Sequence, residues 1–269
     1  SLNSKTAFLL TEIEKEINLL KPDYIIVQGD TLSSFCGALS AYFHKIPLIH
    51  IEAGLRTGNK WAPFPEELLR LINDTLSDYH MAPTLAAVEN LRHLGLRENQ
   101  LKMTGNTGID ALSYILQKIN SGELLPSQHL TEEIGNDLAS SVALLTCHRR
   151  ESHEIFIEKY LMPLDRVATE IDLRILFPMH PNPILQEKLD EVTFKNIRLM
   201  PPLNYVDMVY AMKSSQIIFS DSGGIQEEAV FLGKPVIVIR NETERQEAIE
   251  KGLNELYDSS NLQDQIIRL

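Results

Sequence analysis

The sequence predicts an α/β protein built from two doubly wound parallel sheets. Short apolar runs alternate with amphipathic segments along the whole chain, and glycine or charged residues follow the ends of most runs. One polar segment, from 120 to 136, interrupts this alternation. Strands that alternate with helices form parallel sheets, because each return crossover has room for a helix. A chain of 269 residues is long enough for two domains with separate cores.

The first half of the chain is predicted to hold four strands with helices between them. An opening helix is marked by apolar residues at helical spacing, namely Leu10, Ile13, Ile17 and Leu20. The predicted strands span 24–28, 48–51, 79–81 and 101–104. Amphipathic segments at 33–44 and 66–77 predict the helices that follow the first two strands. These elements form the first predicted domain, residues 1–122.

The second half repeats the alternation. Its predicted strands span 142–146, 175–178, 197–200, 217–220 and 236–239, with helical segments between them. We predict a second domain from 136 to 269 and an interdomain linker from 123 to 135, where Pro126 and Gly135 break the periodicity.

Composition restricts the classes of partner and location. Lys and Arg total 25 against 37 Asp and Glu, for a net charge of -12, so a duplex nucleic-acid partner, which needs a basic face, is excluded. No apolar run has membrane-spanning length, and the first residues lack the order of a signal peptide. The two cysteines are far apart in the sequence. We expect a cytoplasmic protein without a membrane partner.

The turn after the predicted strand 217–220 has the features of an anion site. Ser222, Gly223 and Gly224 lie between that strand and a helix, so free backbone N–H groups and the positive end of the helix dipole meet there. Glu227 and Glu228 follow one turn into the helix, where they can accept hydrogen bonds from sugar hydroxyls. A nucleoside diphosphate fits this pattern. An ordinary strand–helix turn with solvated glutamates is the alternative.

Other polar residues also follow strand ends, where open α/β sheets bind their ligands. The carboxylates Asp30, Glu52 and Glu66 come from the first half and are predicted to converge as general acids and bases. In the second half, His148 and Arg149 are predicted to supply donors for the diphosphate. Each residue alone could equally be a helix cap or a surface charge. The coincidence of many strand ends favours a site.

Several chemistries are not supported by sequence motifs. His153 and Glu154 are not followed by a second histidine at zinc-protease spacing, so no metal site is predicted. No G-x-G-x-x-G follows a strand, and no G-x-x-x-x-G-K-[ST] occurs. We therefore expect neither a bound dinucleotide nor a P-loop, and no cofactor.

Taken in order, eight motifs of the chain closely resemble those of the non-hydrolysing UDP-N-acetylglucosamine 2-epimerases. They are Gln28-Gly-Asp30-Thr, His50-Ile-Glu52-Ala-Gly-Leu-Arg56-Thr57, Pro63-Phe-Pro-Glu66-Glu67, Ala82-Pro-Thr84, Thr104-Gly-Asn-Thr107, Thr146-Cys-His148-Arg-Arg-Glu151, His180-Pro-Asn-Pro183 and Asp221-Ser-Gly-Gly-Ile-Gln-Glu-Glu228. The resemblance implies a GT-B-like fold, in which two Rossmann-like domains face a cleft. It also implies interconversion of UDP-GlcNAc and UDP-ManNAc for cell-surface polysaccharide, and a homodimer.

The resemblance assigns roles to individual residues. Catalysis is implied for Asp30, Glu52, Glu66 and His148. Diphosphate binding is implied for Ser222, Gly223 and Gly224, and binding of the ribose hydroxyls for Glu228. Arg70, which follows Glu66 and Glu67 after the second strand, is also predicted to bind substrate. Arg149 and His180 are implied to border a second UDP-GlcNAc site that activates the bacterial enzymes.

The chemistry of the substrate limits the mechanism. The C2 proton of UDP-GlcNAc is not next to a carbonyl, and transient oxidation would need a nicotinamide whose fingerprint is missing. Elimination of UDP to 2-acetamidoglucal, followed by readdition after protonation on the other face, is the remaining route and the one that the resemblance implies. The alternatives are a hydrolysing epimerase, a GT-B glycosyltransferase, or a UDP-sugar-binding module without turnover.

Two parts of the chain depart from the family pattern. The family opens with a strand and a Gly-Thr-Arg-Pro-Glu loop that nothing here resembles, so the first domain is expected to lack its opening unit. Residues 253–269 show no clear match to the strand and helix that normally follow.

Overall fold

The computed structural model describes residues 1–135, 141–147, 156–179, 187–189, 191–240, 243 and 245–269, with 246 and 247 described by their backbone alone. It divides into two compact units, Ser1–Asn106 and Thr107–Leu269. Each unit contains one sheet in which every strand pair is parallel. The predicted α/β class with two Rossmann-like units is confirmed.

The first unit is a four-stranded sheet with helices between its strands. Its helices are α1 (Leu2–Leu20), α2 (Leu32–His44), α3 (Glu66–Leu76) and α4 (Leu85–His93), and its strands are β1 (Ile25–Gln28), β2 (Leu48–Ile51), β3 (Tyr79–Ala82) and β4 (Leu101–Met103). A short 3-10 helix, Glu98–Gln100, precedes β4. The strand order β1-β2-β3-β4 follows the sequence, so this sheet lacks the reversal of a doubly wound order, which the sheet of the second unit has. All four predicted strands of this half are confirmed.

The core of the first unit is small. Val27 of β1 and Leu48 of β2 pack with Ala38 and Ala41 of α2 in one cluster. The small side chains on α2 let this helix lie close to the sheet. The carboxyl ends of β1 and β2 are thereby held side by side, with Val27 and His50 in register.

The second unit is larger. Its helices are α5 (Thr107–Asn120), α6 (Gln128–Ile134), a π-helical turn (Ile157–Leu161) that continues into α7 (Met162–Glu170), α8 (Tyr205–Ser214), α9 (Gly223–Phe231), α10 (Gln246–Glu250) and α11 (Leu262–Arg268). Its strands are β5 (Ser141–Thr146), β6 (Leu173–Pro178), β7 (Ile197–Met200), β8 (Ile217–Ser220), β9 (Val236–Val238) and β10 (Asn254–Leu256). The five strands predicted for this half are confirmed.

The sheet of the second unit is covered on both faces. Along β5, Ala143 and Leu145 belong to one apolar cluster, whereas Val142 and Leu144 belong to another. Successive side chains of a strand point to opposite faces, so these clusters are the two cores of a doubly wound sheet. The strand order β10-β9-β8-β5-β6-β7 reverses between β5 and β8. Ligands of such folds bind at the carboxyl ends of the strands beside this reversal.

The boundary between the units differs from the predicted one. Helix α5 packs with α8 and α9, and its Leu112 is fully buried in a core of the second unit. The segment predicted as a linker contains α6, whose Leu130 and Ile134 are buried in the same core. Residues 107–135 therefore belong to the second unit. Periodicity predicts a helix but does not specify which sheet the helix covers.

The last residues form structure that the sequence left unassigned. Strand β10 pairs with β9, and α11 buries Leu262 in the second unit.

In the part of the chain that is described, no helix combines the length and the apolar character needed to cross a bilayer.

Candidate active site

Two of the predicted carboxylates lie at the carboxyl edge of the first sheet. Asp30 follows β1 by two residues, and Glu52 directly follows β2. A Cβ atom placed on Gly29 would lie 3.4 Å from Glu52 Oε2, so the carboxylate of Glu52 is beside the Gly29–Asp30 turn. Glu52 itself has a left-handed backbone with φ 66°. Such backbones are unfavourable for residues other than glycine and are concentrated at functional sites.

Asp30 is held by Arg70. Arg70 Nη2 donates to Asp30 Oδ2 at 2.5 Å, and Arg70 also bonds Glu67 one turn earlier on α3. The Arg70 side chain is 2% exposed, whereas that of Asp30 is 29% exposed. Arg70 was predicted to bind substrate, but its side chain is buried on the interior side of Asp30. This placement favours a role in fixing the Asp30 carboxylate.

Glu66 is the first residue of α3 and is half-buried. It lies four residues before Arg70, so the two side chains share one side of the helix, and Arg70 reaches Asp30. The Glu66 side chain makes no hydrogen bond or ion pair with any residue that the structure describes. The structure thus places Glu66 on the helix that holds Asp30 through Arg70, and it shows no contact between the two carboxylates.

The Ser-Gly-Gly turn forms the start of α9 in the second unit. Ser222 caps the helix, with its Oγ accepting from Ile225 N at 3.4 Å. Ser220 Oγ accepts from Ser222 N at 3.0 Å and is 2.8 Å from Thr146 Oγ1 of β5. The turn therefore lies at the reversal between β5 and β8.

The amides of Gly223 and Gly224 are the donors that this turn offers. Neither amide has a hydrogen-bond partner within the described ranges. Unpaired N–H groups at a helix start, together with the helix dipole, bind phosphate groups. The sequence prediction of an anion-binding geometry at this turn agrees with these positions.

Glu228 lies one turn further along α9. Its Oε1 accepts from the hydroxyl of Tyr205, the first residue of α8, at 2.9 Å. Burial raises the pKa of Glu228; the Tyr205 bond lowers it in part, and the charge of Glu227 raises it further, so the net direction is upward. Glu227 is engaged with Arg245 Nε at 2.8 Å. Glu228 is thus protonated more readily than an ordinary glutamate.

Tyr205 and Arg245 were not assigned to the site from the sequence. Tyr205 reads as an ordinary aromatic residue after the helix cap Asn204, and only its contact with Glu228 in space gives it a role. Arg245 does follow a strand end, in a run of charged residues after β9, which is a usable signal. The predicted residues His148, Arg149 and His180 lie outside the described residues.

Comparison with known proteins gives a family. The model of the UDP-N-acetylglucosamine 2-epimerase family matches residues 1–268. A Thermotoga maritima relative is 41% identical over 261 residues, which cover 94% of this chain and 66% of the relative. The Bacillus subtilis UDP-N-acetylglucosamine 2-epimerase is 39% identical over 254 residues, covering 93% of this chain and 64% of its own length. The chain thus spans about two thirds of these relatives.

Solved structures agree with the sequence comparison. The UDP-GlcNAc 2-epimerase of Neisseria meningitidis bound to UDP-GlcNAc superposes with a TM-score of 0.87 at 35% identity, covering 100% of this chain and 73% of the other. The Methanocaldococcus jannaschii enzyme in complex with UDP-GlcNAc and UDP gives 0.84 at 33% identity, covering 100% and 74%. The predicted GT-B-like fold class is confirmed. The chain belongs to the UDP-N-acetylglucosamine 2-epimerase family.

Proposed function

We propose that this protein interconverts UDP-GlcNAc and UDP-ManNAc by elimination and readdition of UDP, without hydrolysis. The observation that carries the proposal is the start of α9, where the amides of Gly223 and Gly224 are available to a diphosphate and Glu228 lies one turn further on. Family relatives are solved with UDP-GlcNAc and UDP. The carboxylates proposed for proton transfer belong to the first unit.

The turn is proposed to stabilise the departing UDP. Breaking the C1–O bond puts negative charge on the diphosphate, so donors aimed at it act more strongly on the transition state than on the bound substrate. Gly223 and Gly224 supply two such donors at the positive end of α9. Glu228 is proposed to accept from the ribose hydroxyls, beside the hydroxyl of Tyr205.

The first unit is proposed to move the C2 proton. Epimerisation needs one group that removes this proton and one that returns a proton to the opposite face. Asp30, Glu52 and Glu66 are the candidates, and two of them share these roles. Asp30 is fixed by Arg70, and Glu52 lies beside Gly29, so both carboxylates have defined positions.

A product assay tests the proposal. The protein is incubated with UDP-GlcNAc, and the products are separated by anion-exchange chromatography. UDP-ManNAc as the only new sugar nucleotide is the expected result. Free ManNAc with stoichiometric UDP would instead indicate a hydrolysing enzyme, and sugar transferred to an added acceptor would indicate a glycosyltransferase. UDP binding with no product at all would contradict the proposed turnover.

Glu228→Gln is expected to weaken UDP binding about tenfold, because a hydrogen bond to a charged acceptor becomes a neutral one. Since the pKa of Glu228 is raised, it becomes protonated at a higher pH than an ordinary glutamate, whose pKa is about 4.3. UDP affinity of the parent should therefore fall as the pH is lowered toward that raised pKa, and the Gln variant should lose this dependence. Calorimetric titration at several pH values measures both effects.

The matched control is Glu250→Gln, at an exposed position on α10. It should bind UDP as the parent does. Equal UDP affinity in the parent and Glu228→Gln would contradict the role given to Glu228.

The remaining assignments stay predictions from the resemblance. They are diphosphate contact by His148, an effector site beside Arg149 and His180, a homodimer and a role in polysaccharide synthesis. A cytoplasmic location stays a prediction from composition.

A further inference from the structure

Helix α3 turns a polar side to the interior of the first unit. Glu67, Arg70, Asn73 and Asp74 are at most 2% exposed. Their spacing places them along one side of the helix. Burying charged and amide groups is costly unless each is paired, and an apolar face of similar shape is often as stable or more so. These residues therefore need an explanation other than stability.

Each of the four reaches a segment that follows β1 or β2. Glu67 Oε1 accepts from Thr57 N at 2.9 Å and Gly58 N at 3.1 Å. Arg70 holds Asp30, as described above. Asn73 Nδ2 donates to the carbonyl oxygen of Gly29 at 3.1 Å.

Asp74 makes the largest set of these bonds. Its Oδ2 accepts from Gly54 N at 3.2 Å and from Arg56 Nη2 at 2.5 Å, and its Oδ1 is 2.6 Å from His50 Nδ1. Burial by itself raises the pKa of Asp74, but the bonds and charges of His50 and Arg56 outweigh it and lower the pKa. Asp74 is thus a buried carboxylate that joins β2, through His50, to the segment after β2.

His50 connects Asp74 to the turn that carries Asp30. The ring is fully buried, with Nδ1 against Asp74 Oδ1 and Nε2 at 2.9 Å from the carbonyl oxygen of Gly29. A carboxylate and a carbonyl can only accept hydrogen bonds. The His50 ring therefore lies between two acceptors, and this pair of contacts fixes its orientation.

We propose that His50 and Asp74 are positioning residues: the buried His50 ring fixes the Gly29–Asp30 turn, and Asp74 fixes the Glu52–Gly54 segment. The proposal rests on the proposed function, because it concerns the carboxylates assigned to that reaction. Both side chains are fully buried, so they act through the residues that they hold. Their effect is to hold Asp30 and Glu52 at fixed positions, and small displacements of catalytic groups are costly to the rate.

Asp74→Asn tests the positioning role. We expect kcat for UDP-ManNAc formation to fall about 100-fold, because Asp30 and Glu52 are displaced, while KM changes little. UDP affinity should stay at the parent value, since the diphosphate turn belongs to the second unit. The matched control is Asp78→Asn. Asp78 follows α3 and also accepts from a backbone amide of the β2 region, but that amide, Leu48 N, is at the amino end of β2, away from Asp30 and Glu52. This control should keep the parent kcat.

A second variant tests the contact with the Gly29–Asp30 turn. His50→Gln removes the ring that spans Asp74 and the carbonyl oxygen of Gly29, so kcat should fall. The Gly29 amide, which donates to the carbonyl oxygen of Ile51 at 2.9 Å, should also exchange its hydrogen faster than in the parent. Parent-like kcat and parent-like exchange in His50→Gln would overturn the proposal.

The outcomes separate the two proposals. A parent-like kcat in Asp74→Asn overturns the positioning role and leaves the epimerase function intact. An inactive parent refutes the proposed function, while faster exchange of the Gly29 amide in His50→Gln still supports the positioning role.

Discussion

Replacing Asp30 with asparagine is expected to slow exchange of the C2 proton by roughly 10²- to 10⁴-fold, the usual contribution of a general acid or base. Asp30 is partly exposed, and the buried Arg70 fixes one of its carboxylate oxygens. The variant keeps the shape of the side chain and removes its ability to take a proton. Steady-state rates with UDP-GlcNAc measure the effect.

Two comparisons make this result specific. UDP affinity of Asp30→Asn should equal that of the parent, because the diphosphate turn is in the second unit. Asp23→Asn changes an exposed aspartate just before β1 and should retain the parent rate. An Asp30→Asn rate within a few-fold of the parent would remove Asp30 from the catalytic set.

Replacing Gly54 with alanine is expected to destabilise the first unit by more than about 3 kcal/mol. Gly54 has a left-handed backbone with φ +86°, and a Cβ there would lie 2.2 Å from the carbonyl oxygen of Ala87 on α4. That oxygen belongs to a helix backbone and cannot move aside cheaply. Urea unfolding followed by fluorescence reports on this unit, because the single tryptophan, Trp61, lies in it.

Gly58→Ala is the matched control for Gly54→Ala. Gly58 also has a left-handed backbone, with φ +78°, but a Cβ there would meet nothing within 4 Å. Gly58→Ala should lower the free energy of unfolding by only about 1 kcal/mol, the cost of placing alanine in a left-handed backbone. Equal destabilisation by the two substitutions would show that the contact between Gly54 and α4 contributes nothing.

The sequence predicted the strands well because buried parallel strands are short and continuously apolar. Strand β5 was predicted from 142 to 146 and spans Ser141–Thr146. The helix start at Ser222 was also predictable, because serine is a preferred helix cap and the Ser-Gly-Gly turn lies between a strand and a helix. Both features depend only on residues that are close together in the sequence.

The sequence did not predict contacts between distant segments. Helical periodicity treats the polar side of α3 as the solvent side, yet Asn73 and Asp74 are fully buried because they bond the segments after β1 and β2. For the same reason Arg70 was predicted from the sequence to bind substrate, although in the structure it is paired with Asp30 and Glu67. Burial of a polar face depends on partners that are far away along the chain.

The most direct test of the account is to incubate the protein with UDP-GlcNAc in D₂O and follow the C2 position by proton NMR. Elimination and readdition require cleavage of the C2–H bond, with solvent supplying the returned hydrogen. Deuterium at C2 together with the appearance of UDP-ManNAc is the predicted result. UDP-ManNAc that forms with its C2 proton retained would contradict the account.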